Sequence, residues 1–512
     1  LAMPAIRMND SSAPAPSSNR AKYMTLLAAF LGCLFDGFEM GLFPLIGQPA
    51  LKDLLGATAD PSAATKWFGA IIAVFLVGAA CGGVVFGWLG DKLGRVRAMS
   101  LSIFTYAIFT GLCGFATEAW HIAGLRFIAS LGMGGEWSLG VALVNEIWPG
   151  KSRALIAGLI GAAANIGYLL VAVLSMVLLS FIPHVKSAFL EVGLAEGTAD
   201  YFLKNSAWRF LMVSGALPAM LIFLIRLAVP ESEKWQHERD RGATSHWNNA
   251  DLLGVLLGAV GALSIIWAWS PAGVGPVPAA IITVVGLGVA LVGFLHPVRQ
   301  YLARAEATGS VKAGHGKDIV KMMLFGSGIA AVALLGTWGS TQWAPRWVTE
   351  QFKPDPALHA KEWTLFWQSV GAIVGTFVAA LAAGRFGRRI TYSVLCVGSI
   401  GSALLLYQTN TGFSGYFLFC MFVAGALTAS FYGFFQLYLP ELFPTAVRAT
   451  GQGFAFNFGR IVAAIGGLQT ANLMKLFDNS FPKAASVMAA IYVVGIFIVW
   501  LGPETKGKEL PE

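Results

Sequence analysis

The fold of this chain is decided by the stretch Gly87-Trp88-Leu89-Gly90-Asp91-Lys92-Leu93-Gly94-Arg95-Val96-Arg97, which separates two long apolar runs in the first half. A shorter version, Gly384-Arg385-Phe386-Gly387-Arg388-Arg389, separates two apolar runs in the second half. A basic turn repeated at matching places is typical of membrane proteins built by internal duplication, and many secondary transporters are built in this way. The two turns therefore predict a duplicated membrane protein.

The composition is also that of a membrane protein. Of the 512 residues, 56% are hydrophobic and only 12% are charged, whereas soluble proteins carry about 25% charged residues. The apolar residues form runs of about 20, which are long enough to cross ~30 Å of hydrocarbon. The net charge of +8 does not indicate nucleic-acid binding, because the basic residues lie in short turns between the runs, as the positive-inside rule requires.

Fourteen membrane spans are predicted from these runs. They cover residues 24–47, 67–88, 99–115, 120–147, 155–181, 210–229, 252–269, 279–295, 319–343, 363–383, 391–407, 416–439, 450–476 and 485–501. Lys and Arg concentrate in alternate loops, which predicts that both termini are cytoplasmic. The predicted parts are a disordered cytoplasmic tail (1–22), a first six-helix bundle (23–230), a cytoplasmic linker (231–318), a second six-helix bundle (319–502) and a cytoplasmic tail (503–512).

The linker contains two predicted spans, within residues 252–295, that a six-plus-six arrangement does not need. The turn between them is uncharged and rich in Gly and Pro. We predict that the pair is a lipid-facing accessory hairpin. A direct part in a substrate path is less favoured, because the pair contains no ionisable residue between Asp251 and His296, and ionisable residues mark such paths.

A second repeated motif follows the fourth span of each half. Residues 146–153 and 441–448 both contain Glu, then Pro three residues later, then Arg seven residues after the Glu. Together with the basic turns and the segments 230–235 and 503–507, these motifs resemble those of the major facilitator superfamily, in particular of its sugar porters. The resemblance implies an all-α membrane fold of two six-helix bundles, with the extra helix pair between them giving 14 spans.

These repeated motifs supply candidate gating residues. A carboxylate at a helix end can pair with Arg or cap a neighbouring helix, and such contacts can hold one face of a two-state transporter shut. The alternative is that the basic side chains only fix the topology. The candidates are Gly87, Asp91, Gly94, Arg95, Arg97, Glu146, Arg153, Gly384, Arg385, Arg388, Glu441 and Arg448.

Four ionisable residues lie deep within the spans of the first half, where each costs roughly 2.5–3.5 kcal/mol and is usually functional. Asp36 and Glu39 share one face of the first span, so at least one is predicted to hold a proton near neutral pH. The alternative is a structural carboxyl bonded to a neighbouring helix. Arg126 and Glu136 share a face of the fourth span at different depths. The resemblance to sugar porters implies that Glu39 pairs with Arg126, and we predict that all four residues take part in proton coupling, with this pair as the switch.

Arg460 is a buried charge predicted in the second half, and two roles for it are equally favoured. It can hold an anionic substrate, or its side chain can reach the interface or bond backbone carbonyl groups. Aromatic and amide side chains of other spans suit a sugar or an organic acid, although helix packing explains each of them as well. The predicted substrate-binding residues are Arg126, Asn165, Trp338, Gln342, Gln368, Tyr432, Gln436, Asn457 and Arg460.

The resemblance points to two kinds of substrate. The tail motifs are similar to those of sugar porters, but the seventh span lacks their paired glutamines. Residues 36–39 resemble the Asp-Gly-Phe-Asp segment of proton symporters for aromatic acids, small carboxylates and sialic acid, and sialic acid symporters also carry an extra helix pair. The resemblance therefore implies alternating-access, proton-coupled symport of a small organic anion. A proton-coupled sugar transporter, a proton-antiport exporter of metabolites or drugs and a non-transporting receptor are the alternatives.

No enzyme is predicted, because the sequence shows no nucleophile beside a base, no metal-ligand cluster and no phosphate loop. The five cysteines lie inside spans and are predicted to be apolar core residues. No cofactor is expected, and the proton gradient is the expected energy source. The expected partners are a small-molecule substrate, protons and the lipid bilayer, without nucleic acid. We predict a monomer in the cytoplasmic membrane.

Overall fold

The computed structural model describes residues 19–56, 61–148, 152–221, 225, 229–269, 273–309, 314–355, 358–478 and 480–511. All regular structure in these residues is helical. Most of the predicted N-terminal tail lies outside the described residues. Its last part was predicted to be disordered, but the first helix already begins at Asn19.

Seventeen of the helices are numbered here in chain order. They are α1 (Asn19–Leu55), α2 (Pro61–Leu93), α3 (Arg95–Leu112), α4 (Ala119–Ile147), α5 (Arg153–Glu191), α6 (Glu196–Ser214), α7 (Glu233–Asp240), α8 (Leu252–Ala268), α9 (Pro276–Ala307), α10 (His315–Gly339), α11 (Ala360–Phe386), α12 (Arg388–Thr409), α13 (Gly415–Thr428), α14 (Phe431–Tyr438), α15 (Arg448–Leu476), α16 (Phe481–Ala489) and α17 (Ile491–Ile498). Shorter helical turns, such as Ala344–Trp347 and Leu439–Leu442, connect some of them.

Twelve helical segments of the described residues are long and apolar enough to cross a membrane, judged by length and composition. They include both helices of the hairpin, α8 and α9. The predicted spans 210–229 and 450–476 are not among the twelve. Part of the first lies outside the described residues. The second corresponds to α15, whose Gln452, Asn457 and Arg460 lower its apolar character.

Three predicted spans are broken within the chain. The span that begins in α10 breaks after Gly339, where Ser340 leaves the helical conformation. The span 416–439 is divided between α13 and α14, and the last span is divided between α16 and α17. Hydropathy predicts that an apolar run crosses the membrane, but it does not report whether one straight helix does so.

Both basic turns have the same backbone geometry. Gly94 precedes α3 with a φ of 112°, and Gly387 precedes α12 with a φ of 99°. A side chain is unfavourable at such angles, and there is no room for one. A Cβ at Gly94 would lie 2.3 Å from Glu231 Oε2, and a Cβ at Gly387 would lie 2.8 Å from Glu504 Oε2. Each glycine therefore lets a carboxylate reach the start of the next helix.

Helices from the two halves of the chain pack against each other along two seams. In one seam, α15 packs on α2 and α4. In the other, α5 packs on α11 and α14. Asn457 of α15 donates from Nδ2 to the Gly134 carbonyl at 3.2 Å, and Asn165 of α5 donates from Nδ2 to Thr376 Oγ1 at 3.3 Å. The first seam contains the buried Arg460, which lies on α15.

Candidate functional site

The ion pair predicted between α1 and α4 is present. Arg126 Nη1 lies 2.8 Å from Glu39 Oε1, and both side chains are almost fully buried. Thr110 Oγ1 donates to the same carboxylate oxygen at 3.2 Å. The guanidinium of Arg126 also lies 4.5 Å from the ring centre of Phe43 and 4.7 Å from that of Phe75. The cation is thus neutralised by one acid and lies near two aromatic rings. Removal of the negative charge of Glu39 would leave a buried cation without an ion-pair partner, which is costly.

A second acidic pair lies beside this ion pair. Asp36 and Glu136 are both buried, and their carboxyl groups are neighbours. Gly32, one turn before Asp36, makes the approach possible, because a Cβ there would lie 1.8 Å from Glu136 Oε1. Besides Asp36, the Tyr106 hydroxyl is a neighbour of Glu136, although no strictly aligned hydrogen bond reaches either oxygen of Glu136 within the described part of the chain. Neither Asp36 nor Glu136 forms an ion pair among the described residues, and two such neighbouring buried carboxyl groups are suited to share a proton.

Arg460 of α15 is a buried cation that forms no ion pair among the described residues. Its Nη1 atom has no hydrogen-bond partner among those residues. Its guanidinium lies 5.4 Å from the Phe456 ring. Asp36, Tyr168 and Tyr432 are its charged or hydroxyl-bearing neighbours. A buried guanidinium with unused donors is a natural partner for a carboxylate.

Aromatic rings surround Arg460, and sequence reasoning missed several of them. The rings of Trp137 and Phe456 stack across the seam between α4 and α15, with centres 4.0 Å apart and planes 14° apart. Tyr432 packs against Phe456 at 6.0 Å. Tyr168 of α5, another missed residue, completes this set. Their positions in apolar spans gave no signal, because helix packing explains an aromatic residue there as well as a binding site does.

The other predicted substrate-binding residues fall into two groups. Trp338 is half-buried beside Tyr432, and Gln368 is buried with no partner for Oε1 among the described residues. Gln342 is half-buried in the turn after α10. The remaining three are buried where helices from different halves meet. These are Asn165, Gln436 and Asn457, whose backbone or amide groups hydrogen-bond across the seams.

The first basic turn takes part in a buried network that crosses from the first half to the second. Asp91 accepts hydrogen bonds from Thr450 N at 2.8 Å and Thr450 Oγ1 at 2.6 Å, so this α2 carboxylate caps the start of α15. Asp91 also pairs with Arg95 at 2.6 Å. Arg95 donates to the Thr445 carbonyl at 2.8 Å. Both side chains are fully buried, which gives these contacts more weight than exposed ion pairs have.

The two repeated Glu–Arg motifs bind each other reciprocally. Glu146 of the first half pairs with Arg448 of the second at 2.8 Å, and Glu441 of the second half pairs with Arg153 of the first at 3.1 Å. Each Glu also binds the Arg of the basic turn in its own half. Glu146 binds Arg95 at 3.1 Å, and Glu441 binds Arg388 at 2.7 Å. We call the buried contacts of Asp91, Arg95, Glu146, Arg153, Arg388, Glu441 and Arg448 the latch.

The other five predicted gating residues are not part of the latch. Arg97 and Arg385 are exposed. Gly87 faces the backbone of Ala449 and Thr450, where a Cβ would come within 2.8 Å of the Ala449 carbonyl oxygen. Gly384 lies three residues before Gly387, as Asp91 lies three residues before Gly94, so Gly384 is the equivalent of Asp91 in the second turn. Gly94 permits the helix cap already described.

Two carboxylates that cap the helices after the basic turns, Glu231 and Glu504, were not predicted to be functional, although the motif segments 230–235 and 503–507 contain them. Glu231 Oε1 accepts from Arg95 N at 2.8 Å, and Glu504 Oε2 accepts from Arg388 N at 2.9 Å. Burial raises the pKa of Glu231 above its ordinary value, and its backbone donors offset only part of that effect. Burial opposes ionisation of Glu504 too, but the N–H groups of Arg388, Arg389 and Lys506 outweigh it and lower the pKa of Glu504. The signal was the Pro-Glu pair that precedes each of Ser232 and Thr505.

Comparison with known proteins agrees with this architecture. The family model described as "Sugar (and other) transporter" matches residues 24–248 and 322–512. The cis,cis-muconate transport protein of Acinetobacter baylyi is 25% identical, and the alignment covers 86% of this chain and 85% of that protein. The niacin transporter NiaP of the same species is 24% identical, with 95% of both chains covered.

The solved structures show the same fold. The proton:xylose symporter XylE of E. coli, a member of the major facilitator superfamily, matches with a TM-score of 0.65 at 19% identity. The match covers 96% of this chain and 98% of XylE. The matching family model, the related transport proteins and the XylE-like fold lead to one conclusion: this chain belongs to the Sugar (and other) transporter family and is a transporter of the major facilitator superfamily, not an enzyme.

Proposed function

We propose that this chain is a proton-coupled symporter of a small organic anion that works by alternating access. The observation that carries the proposal is Arg460, a buried guanidinium near the middle of α15 with an unpartnered nitrogen and no ion-pair partner among the described residues. Leaving such a charge without a partner is costly. A substrate carboxylate supplies the partner that the described residues do not.

The two central arginines have different tasks in this proposal. Arg126 already has a carboxylate, Glu39, at 2.8 Å. Arg460 has no such carboxylate, so it binds the substrate. Arg126 acts mainly through its ion pair with Glu39. When Glu39 takes up a proton, the ion pair weakens and the preference between the two conformations changes. Asp36 and Glu136 hold a proton, and Asp36 is a neighbour of both Arg460 and Glu39, so this pair links substrate binding to proton binding.

The related proteins support a carboxylate as the substrate. Muconate and niacin, named for two relatives, are both planar molecules that bear carboxyl groups, and an aromatic surround for Arg460 suits such molecules. A sugar is the second candidate, because the fold is also that of a protein named as a xylose symporter. The uncompensated charge of Arg460 favours the acid, because a neutral sugar does not neutralise it.

Topology follows from the same proposal. We propose that α15 and the segment 210–229 cross the membrane in addition to the twelve apolar segments, which gives 14 spans. The halves are then the six-span bundles 23–230 and 319–502, with the linker 231–318 between them. The face that carries the basic turns and the latch is assigned to the cytoplasm together with both termini. The chain acts as a monomer in the cytoplasmic membrane.

Uptake into proteoliposomes with an imposed pH gradient tests this function. We expect a pH gradient that is acidic outside, imposed without a membrane potential, to drive accumulation of an aromatic or unsaturated carboxylate but not of a hexose. The panel contains benzoate, nicotinate, muconate, sialic acid, glucose and xylose. Accumulation of hexoses alone would establish the sugar alternative. Substrate extrusion coupled to proton movement in the opposite direction would establish the exporter, and an unchanged gradient for every compound would favour a receptor.

A further inference from the structure

The accessory hairpin, α8 and α9, does more than face lipid. One side of it is exposed and apolar, as predicted for a lipid-facing pair, and Val284 there is 72% exposed. The opposite side packs against helices of both halves. Helix α8 contacts α2 of the first half, and α9 contacts α10 and α15 of the second. The hairpin therefore lies across the seam that α2 and α15 form.

The two hairpin helices are tightly joined to each other. A Cβ at Gly293 would lie 2.5 Å from the Gly254 carbonyl oxygen, and a Cβ at Gly286 would lie 2.6 Å from the Gly261 carbonyl oxygen. Backbones this close pack extensively. At the base of the hairpin, Arg304 forms an ion pair with Asp251. The Trp247 and Tyr301 rings stack there at 4.3 Å. The hairpin is thus built to move as one unit.

Its attachment to the second half is buried and close in sequence. Glu306, near the end of α9, accepts a hydrogen bond from Gly316 N at 3.0 Å and so caps the start of α10. Phe294 is fully buried, and its ring meets that of Phe458 on α15 edge-on at 6.5 Å. The helices α9 and α10 are separated by only residues 308–314.

Its attachment to the first half consists of a packed surface on α2 and one exposed hydrogen bond. Lys92, in the first basic turn, donates from Nζ to Asn249 Oδ1 at 2.6 Å, and this bond is exposed. The same ammonium lies 4.7 Å from the Trp88 ring centre. Beneath them, Trp88 of α2 and Trp247 beside the hairpin belong to one buried apolar cluster. This cluster provides a surface, but the Lys92–Asn249 bond provides the defined position.

We propose that the hairpin is a brace that moves with the second half and holds the first half through Lys92 and the α2 surface, so that it favours the conformation in which the latch is closed. The inference assumes the alternating access proposed above. When the two halves separate at the latch, α2 moves away from α15. The brace then loses its contact with α2 while it keeps its contacts with α10 and α15.

A double-mutant cycle with a distance readout tests the brace. Nitroxide labels are placed at the exposed positions Arg97→Cys and Arg385→Cys of the full-length transporter, one in each half; the native cysteines are buried. Distances are measured in lipid nanodiscs without substrate. Lys92→Ala and Asn249→Ala are each expected to raise the ratio of separated to close conformations about fivefold, as loss of one average hydrogen bond does. The double variant is expected to resemble either single variant.

A second pair of variants keeps the test informative if the hydrogen bond alone is too weak to measure. Phe294→Ala weakens the attachment of the brace to α15 and is expected to raise the same ratio, whereas Val284→Ala on the lipid side is the control and is expected to leave it unchanged. An unchanged ratio in the two single variants and in Phe294→Ala would overturn the brace. So would an equal effect of Val284→Ala. Because no substrate is present, these distances are independent of which compound is transported.

Discussion

At the scale of single residues, Glu39 is expected to determine whether transport is coupled to protons. Glu39→Gln keeps the shape of the side chain but removes the charge that neutralises Arg126 at 2.8 Å. With one proton per substrate, a gradient of one pH unit supports about tenfold accumulation. The variant is expected to lose this accumulation while it still exchanges labelled for unlabelled substrate. Proteoliposome uptake and counterflow measure the two activities, and Glu118→Gln, an exposed acid, is the control. Full pH-driven accumulation by the variant would remove Glu39 from the coupling.

Arg460 is expected to determine affinity. Arg460→Gln removes a charge-assisted interaction worth about 1.5–3 kcal/mol, which predicts roughly a tenfold to hundredfold rise in KM for the anion. Arg460→Lys keeps the charge without the planar pair of donors, so it is expected to recover part of the affinity. Binding measured by calorimetry, together with initial uptake rates, distinguishes lost affinity from lost turnover. Equal affinity in the protein and in both variants would place the substrate elsewhere.

Residue chemistry could be predicted from the sequence where a charge lies in an apolar span. The cost of burial marked Glu39 and Arg126 as functional, and the resemblance to sugar porters implied that they pair. Tyr168 and Trp137 could not be found in this way. An aromatic residue costs nothing in an apolar helix, and its position in a span does not reveal which neighbour it faces. Asn457 shows the opposite problem, because an amide suits a substrate cavity and a helix contact equally well, and it bonds the Gly134 carbonyl.

At the scale of helices, the two matched caps are expected to respond differently to neutralisation. The pKa of Glu504 is below its ordinary value and that of Glu231 is above it. The fold therefore favours the ionised form of Glu504 and disfavours that of Glu231. At pH 7, Glu504→Gln is expected to lower thermal stability by more than Glu231→Gln. Each variant is the matched control for the other, because each carboxylate caps the helix after a basic turn.

The pH dependence of this difference has a definite sign. A lowered pKa contributes stability that is present above the unfolded-state value and is lost as pH falls through the folded-state value. The deficit of Glu504→Gln is therefore expected to shrink as pH falls below about 4.5, the ordinary value for Glu. Thermal unfolding of both variants and the unmodified chain from about pH 3 to pH 8 tests this. A larger deficit in acid than at pH 7 would contradict the assignment.

The helices themselves could be predicted wherever an apolar run was uninterrupted. Helix α4, Ala119–Ile147, matches the predicted span 120–147 almost residue for residue. The break at Ser340 could not be predicted in the same way, because the apolar run continues through it to Trp343. Backbone breaks depend on which neighbours satisfy the freed polar groups. Ser340 shows this, since its carbonyl accepts a hydrogen bond from the Tyr407 hydroxyl at 2.8 Å.

At the scale of the whole molecule, the cap that Asp91 supplies to α15 is expected to bias the protein toward the closed latch. Asp91→Ala removes an N-terminal cap worth about 0.5–2 kcal/mol and leaves buried Arg95 with one partner fewer. The variant is expected to open more at the latch face, which labelling of an engineered cysteine near Thr445 would detect as faster modification. Asp240→Ala, an exposed acid, is the control. Slower or unchanged labelling would show that the cap does not hold the halves together.

The overall arrangement could be predicted because duplication leaves the same motif at equivalent places. The reciprocal bonds Glu146–Arg448 and Glu441–Arg153 could not be read from the motifs, because nothing in either copy shows that it binds the other. The bracing contacts of the hairpin were missed for a related reason. Gly-rich apolar helices look alike in sequence whether they face lipid or another helix.

Gly384 stands where the other half has Asp91, so the mirrored copies are unequal. The α2 edge is held by a side-chain cap, by Arg95 and by Glu146, whereas the α5 edge is held across the seam mainly by Arg153 and Glu441 at 3.1 Å. Because the two edges are held unequally, the latch should open first along the more weakly held edge, beside α5. Substrate would then be released beside α5. A bulky side chain introduced at the α5 edge should therefore slow substrate release more than one introduced at the α2 edge.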